Sequence, residues 1–100
     1  MKRTLVRYRT KPEMAQENER LIGNVFEELR AKSPDGVRYL ALRLGDGTFV
    51  HLVALESADA GPLRELAAFR SFQSGIKERC AEPPQVGDAT IIGNYRMLGE

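Results

Sequence analysis

Residues 37–55 read VRYLALRLGDGTFVHLVAL, two runs rich in β-branched, leucine and aromatic residues around a Gly-Asp-Gly turn. Alternation on both sides of a short polar turn predicts a β-hairpin. Its register follows from the loop length. A two-residue loop of Asp46 and Gly47 sets Leu42 opposite His51 and mixes the two faces. A three-residue loop with Gly47 left-handed separates them, and this register is preferred. Leu40, Leu42 and Leu44 then share one face with Val50, Leu52 and Ala54. Tyr39, Ala41 and Arg43 share the other with Phe49, His51 and Val53. A surface that packs on helices should be uniformly aliphatic, so the leucine face is expected beneath the helices. His51, the only histidine of the chain, is then expected on the opposite face.

Upstream, TLVRYRT at 4–10 alternates as a strand, with Leu5, Arg7 and Arg9 on one side and Val6, Tyr8 and Thr10 on the other. The segment from Lys11 to Lys32 predicts a helix, with Pro12 in its first turn, acidic residues early and basic residues late. Its stripe is Met14, Asn18, Leu21, Ile22, Val25 and Leu29, with Phe26 at the margin. SPDG at 33–36 is turn chemistry.

Downstream, cap-forming residues at 57–60 and Pro62 open a second helical region carrying Leu63, Leu66, Phe69, Phe72, Ile76 and Cys80, in one or two pieces, which Pro83 and Pro84 end. The final strand is expected within 85–98, with Asn94 and Arg96 on one of its faces and Gly93 marking a bulge. The order is βαββαβ over residues 1–100 as a single domain. It predicts an α+β, ferredoxin-like, four-stranded antiparallel sheet with both helical segments on one face.

Composition narrows the function. Fifteen basic and fourteen acidic residues nearly cancel, which gives no field for nucleic acid or an anionic membrane. The absence of a long apolar run or a signal-peptide pattern reads as a cytoplasmic protein. One cysteine and one histidine cannot fill a zinc tetrahedron, and four thiolates are usual for an iron–sulfur cluster. No metal or cofactor is expected. Cys80 reads as an inert thiol on the helix stripe.

Two helices cover one face of such a sheet, so the apolar second face calls for a partner. A two-fold homodimer is the simplest one, its facing sheets enclosing a partly polar cavity onto which His51 points.

The strand ending VRYRTKPE, the long first helix, the PDGVRYLALRL and TFVHLVALES hairpin and LAAFRSFQSGIKERC together resemble the dimeric α+β barrel superfamily, in particular the antibiotic biosynthesis monooxygenase-like domains. The resemblance runs along nearly the whole chain and rests on hydrophobic patterning. It implies a dimer with a ligand cleft in each subunit, and membership of a group that includes cofactor-independent oxygenases of quinol-like aromatics and haem-degrading enzymes. Where members often carry Glu and Trp on the third strand, this chain has Val53 and Leu55. Leu5 stands near the place of the haem-degraders' Asn, and GPLRELAAF lacks the histidine often found early in the second helical region. These departures point away from haem degradation.

The candidate site follows. His51, with a near-neutral pKa, suits the removal of a phenolic proton. Arg43 is placed as stabiliser of the resulting anion, with Arg7 as the alternative. Tyr39, Phe49, Arg7 and Tyr95 are the candidate substrate-binding residues, and Tyr8 is a further hydroxyl able to orient a ligand. The expected ligand is a small aromatic or polyketide-like molecule. The alternative is a non-catalytic small-molecule-binding or interaction module of the same fold.

Overall fold

The computed structural model describes residues 1–57 and 61–99; the capping stretch expected at 58–60 lies outside them. Strand β1 is Lys2–Thr10, helix α1 Ala15–Lys32, and β2 and β3 are Val37–Arg43 and Thr48–Leu55. Three short helices follow, α2 (Gly61–Arg64), α3 (Ala67–Ser74) and α4 (Ile76–Arg79), and then β4, Cys80–Asp88. All pairings are antiparallel, in the order β2-β3-β1-β4. This is the ferredoxin-like arrangement. No helix among the described residues is long and apolar enough to cross a membrane.

Local chemistry explains most boundaries. Pro12 opens a single 3-10 turn, Pro12–Met14, ahead of α1, where its missing N–H costs nothing. The helix ends when Ser33 turns left-handed (φ 43°) and its N–H reaches the Leu29 carbonyl. In the hairpin Arg43 pairs with Phe49 and Leu42 with Val50. The Leu44 N–H donates to the Thr48 carbonyl, and Gly47 sits at φ 85°. The loop therefore has three residues with Gly47 left-handed.

The end of the chain differs from its expectation. The last strand is Cys80–Asp88, not a segment within 85–98, and Cys80 opens it rather than closing a helix. Two prolines need not stop a strand at a sheet edge. Arg9 pairs with Glu82 and Arg7 with Gln85, so Pro83 and Pro84 lie opposite Tyr8 alone, in a bulge where ladder bonds are already interrupted. An Arg9–Glu82 ion pair at 2.8 Å bridges the same strands. Asn94 and Arg96 share no strand face. The Asn94 side chain accepts from the Met97 and Leu98 N–H groups and closes a turn in which Arg96 is left-handed (φ 62°).

The two faces of the sheet are reversed relative to the expectation. Tyr8, Phe49 and His51 are buried beneath the helices with Val25, Leu63, Leu66, Phe69 and Phe72. Leu5, Leu40, Leu42 and Leu44 are exposed on the other side, Leu42 by 52%. Ala54 is buried on that outer face, where Met97, Leu98 and Gly99 come down beside Leu40, Leu52 and Arg38. The physical reason lies on the helices. Asn18 of α1 and Arg79 of α4 are 0% and 4% exposed. Against leucines the Asn18 amide nitrogen would be orphaned at considerable cost, whereas the aromatic face offers it the Tyr8 hydroxyl, and the Asn18 oxygen in turn accepts from Arg79.

Candidate functional site

Each of β1, β2 and β3, neighbours in the sheet, contributes one polar ring to the covered face. Cross-strand pairing sets Val6 opposite His51 and His51 opposite Ala41. The hydroxyls of Tyr8 and Tyr39, two residues along on either neighbouring strand, therefore close on the imidazole. Tyr8 Oη lies 2.9 Å from His51 Nε2, and Tyr39 Oη lies 2.7 Å from Nδ1. Asn18 Nδ2 donates to Tyr8 Oη at 2.8 Å, and Arg79 Nε donates to Asn18 Oδ1 at 2.9 Å. Arg79 Nη2 also donates to the Phe72 carbonyl at 2.6 Å. The result is one continuous hydrogen-bonded row, Arg79–Asn18–Tyr8–His51–Tyr39, drawn from two helices and three strands.

Aromatic rings hold the row in place. Tyr8 stacks on Phe49 with centroids 5.5 Å apart, and His51 stacks on Phe72 at 5.4 Å. Phe26 meets Tyr39 edge-on at 5.1 Å, and the Arg79 guanidinium lies 5.3 Å from the Phe72 centroid. Such contacts add specificity to what their buried area already contributes.

Burial sets the electrostatics. His51 is 2% exposed, and loss of solvent pulls its pKa down to about 4, so the imidazole is neutral at pH 7. Burial raises both Tyr8 and Tyr39 well above the usual phenol value and keeps them protonated.

Beside the row lies a cleft of about 180 Å³, walled chiefly by Tyr8, Tyr39, His51, Phe69, Phe72 and Ile76. Gln73, Pro84 and the exposed Val86 also line it. Cavities of about 150 Å³ lined by apolar side chains accept benzene, so this one has room for a single aromatic ring.

The sequence-derived candidates divide on this geometry. His51 and Tyr39 line the cleft, and Phe49 lies behind Tyr8. His51 does not face a second sheet, because its side of β3 is the one beneath the helices. Arg43 does not join the cleft: it lies over Phe49 and donates to Glu19 of α1 at 3.0 Å at the protein surface. Arg7 is exposed on the outer face, and Tyr95, 80% exposed, lies in the segment after β4. Asn18 and Arg79 escaped the sequence reading, although an asparagine inside an apolar stripe is itself a signal of a buried polar partner. Among the described residues no three His, Cys, Asp or Glu side chains gather as a metal site.

Known structures share this architecture. A Nitrosomonas europaea protein with the provisional name antibiotic biosynthesis monooxygenase superposes with a TM-score of 0.74 at 20% identity, over 93% of this chain and 100% of that one. A Caulobacter crescentus protein with the same provisional name gives 0.74 at 18% identity, over 92% and 90%. A Mycobacterium tuberculosis protein gives 0.73 at 18% identity, over 93% and 96%. No protein-family model matches the chain, and no curated protein matches its sequence. At these identities the likeness establishes the fold, which is the one shared by antibiotic biosynthesis monooxygenase-like proteins.

Proposed function

We propose that this protein binds one small, electron-rich aromatic molecule per chain in the cleft beside His51 and oxygenates it without a cofactor. The observation that carries the reading is the cleft itself: a ring-sized apolar space with one hydrogen-bonded polar row along its wall. The names carried by the similar structures favour the same chemistry. An enolate or phenolate is electron-rich enough to pass an electron to O2. Combination of the radical pair forms a C–O bond, the proton released in forming the anion returns to the peroxide, and loss of water then leaves C=O where the ring carbon of the keto tautomer was CH2. One oxygen atom enters the product and the other leaves as water, so the substrate supplies all four electrons and no reductant is needed.

The chain contributes a dry, oriented site and a hydroxyl at the substrate oxygen. Both His51 nitrogens are engaged by tyrosines, so His51 acts on a ligand through Tyr39 and not by direct contact. Arg43, committed to Glu19, has no part in this scheme.

The same engagement of His51 favours a second reading, a binding module that holds the aromatic without reaction. Oxygen uptake separates the two. Single-ring quinols and cyclic enolisable ketones are titrated into the purified protein in an oxygen electrode, with calorimetry alongside. Uptake that depends on the protein supports the oxygenase; binding without uptake supports the module; no binding refutes both.

Assembly is part of the proposal. The outer face presents Leu5, Leu40, Leu42 and Leu44 to solvent, a patch that calls for a partner. A second copy packed sheet against sheet covers it with two-fold symmetry. Each subunit then keeps its own cleft on the far side of its sheet. Native mass spectrometry of freshly purified protein reads subunit count and any retained molecule together.

A further inference from the structure

The hydrogen-bonded row has a direction, and Arg79 sets it. A guanidinium can only donate. The Asn18 atom 2.9 Å from Arg79 Nε is therefore the amide oxygen, which turns the amide nitrogen toward Tyr8 Oη at 2.8 Å. Tyr8 accepts from Asn18, and among the described residues the one acceptor near its own hydrogen is His51 Nε2 at 2.9 Å. A neutral imidazole carries one N–H. With Nε2 accepting, that hydrogen is on Nδ1 and is donated to Tyr39 Oη at 2.7 Å. The opposite tautomer would aim two donors at the Tyr8 oxygen and leave the Tyr8 hydrogen buried with no acceptor among the described residues.

One hydrogen remains unassigned, that of the Tyr39 hydroxyl. Tyr39 lines the cleft. We propose that Arg79 and Asn18 are positioning residues that hold His51 as its Nδ1–H tautomer and thereby make the Tyr39 hydroxyl a donor into the cleft, so that the ligand it selects presents an oxygen acceptor, a carbonyl or an enolate or phenolate oxygen, and not a neutral hydroxyl acting as donor. The ligand half of this inference rests on the cleft reading above; the hydrogen-bond direction does not.

A single substitution reverses the row. In Asn18→Asp the carboxylate accepts from both Arg79 and Tyr8, Tyr8 accepts from Nε2–H, Nδ1 accepts from Tyr39, and the Tyr39 oxygen becomes an acceptor for the ligand. The chain has one histidine, so ¹⁵N-histidine labelling reports the tautomer of His51 by NMR without assignment ambiguity. At pH 7 the wild-type protein is expected to be Nδ1–H by about tenfold or more, and Asn18→Asp to be Nε2–H. A wild-type protein that is Nε2–H or doubly protonated overturns the inference with no variant needed. So does a folded Asn18→Asp protein with its tautomer unchanged.

Calorimetry with acetophenone, which offers only an acceptor, and indole, which offers only a donor, then reads the ligand half with two aromatics of equal heavy-atom count. Wild type is expected to prefer acetophenone by about tenfold, and Asn18→Asp to prefer indole. Equal affinity in wild type overturns the donor assignment. An Nδ1–H tautomer with neither probe bound refutes the cleft as a ligand site and leaves the direction of the row established.

Discussion

Lowering the pH from 7 to 5 tests the burial of His51. In the unfolded chain a histidine titrates near 6.5; in the folded protein desolvation holds this one at about 4. Between those values the unfolded chain takes up a proton that the folded protein refuses. Stability contributed by His51 is thus complete above pH 6.5 and is lost as the pH falls towards 4. At about 1.4 kcal/mol for each tenfold change in acidity, the whole window amounts to about 3 kcal/mol, of which about 2 kcal/mol falls between pH 7 and 5. Geometry supports the same direction. An imidazolium would donate from both nitrogens, and Tyr8, already accepting from Asn18, could no longer donate to Nε2. The perturbed carboxylates, Glu17, Glu28 and Asp46, are held below their usual values, so they stay ionised down to pH 5 and leave this range to His51. Urea unfolding followed by circular dichroism, at both pH values, for wild type and His51→Gln, isolates the effect: the variant should lose the pH dependence. A wild-type free energy unchanged between pH 7 and 5, or a His51→Gln protein with the same slope as wild type, would refute the reasoning.

Three other outcomes follow from the same geometry. Removal of the two tyrosine hydroxyls should be unequal: Tyr8→Phe strands both Asn18 Nδ2 and His51 Nε2 and costs about 2–4 kcal/mol, whereas Tyr39→Phe strands only Nδ1 and costs about 1–2 kcal/mol, both measured by urea unfolding. Leu42→Asp, at an exposed outer-face position, should leave the circular dichroism spectrum unchanged while raising the dissociation constant of the proposed sheet-to-sheet dimer about a hundredfold or more in analytical ultracentrifugation, through the cost of burying an unpaired charge. Gly47→Ala should cost about 1 kcal/mol in thermal unfolding, entirely from backbone strain at φ 85°, because an added Cβ would sit no closer than 3.8 Å to its neighbours.

Much of the fold was legible in local patterns. The hairpin register needed only the three residues Gly45, Asp46 and Gly47 between alternating runs. The first helix declared itself through Pro12 and its stripe, and its end through the turn at 33–36. The last strand was misplaced because prolines are read locally as helix terminators; that Pro83 and Pro84 sit in an edge bulge depends on pairing with β1, far away in the chain but adjacent in the sheet.

The site was legible only in part. His51 and Tyr39 stood out as polar groups in apolar strands, while Asn18 was absorbed into the first helix stripe and Arg79, among charged neighbours, gave no local signal, because their partners lie elsewhere in the chain. Alternation determined which residues share a face of the sheet: Tyr39 with His51, Leu40 with Leu52. It could not determine which face the helices cover, because both are apolar enough to be buried. The tertiary structure decided that. Asn18 can be desolvated only where the Tyr8 hydroxyl accepts from its Nδ2, and its Oδ1 in turn accepts from Arg79, so the aromatic face turned inward and the leucine face was left outside.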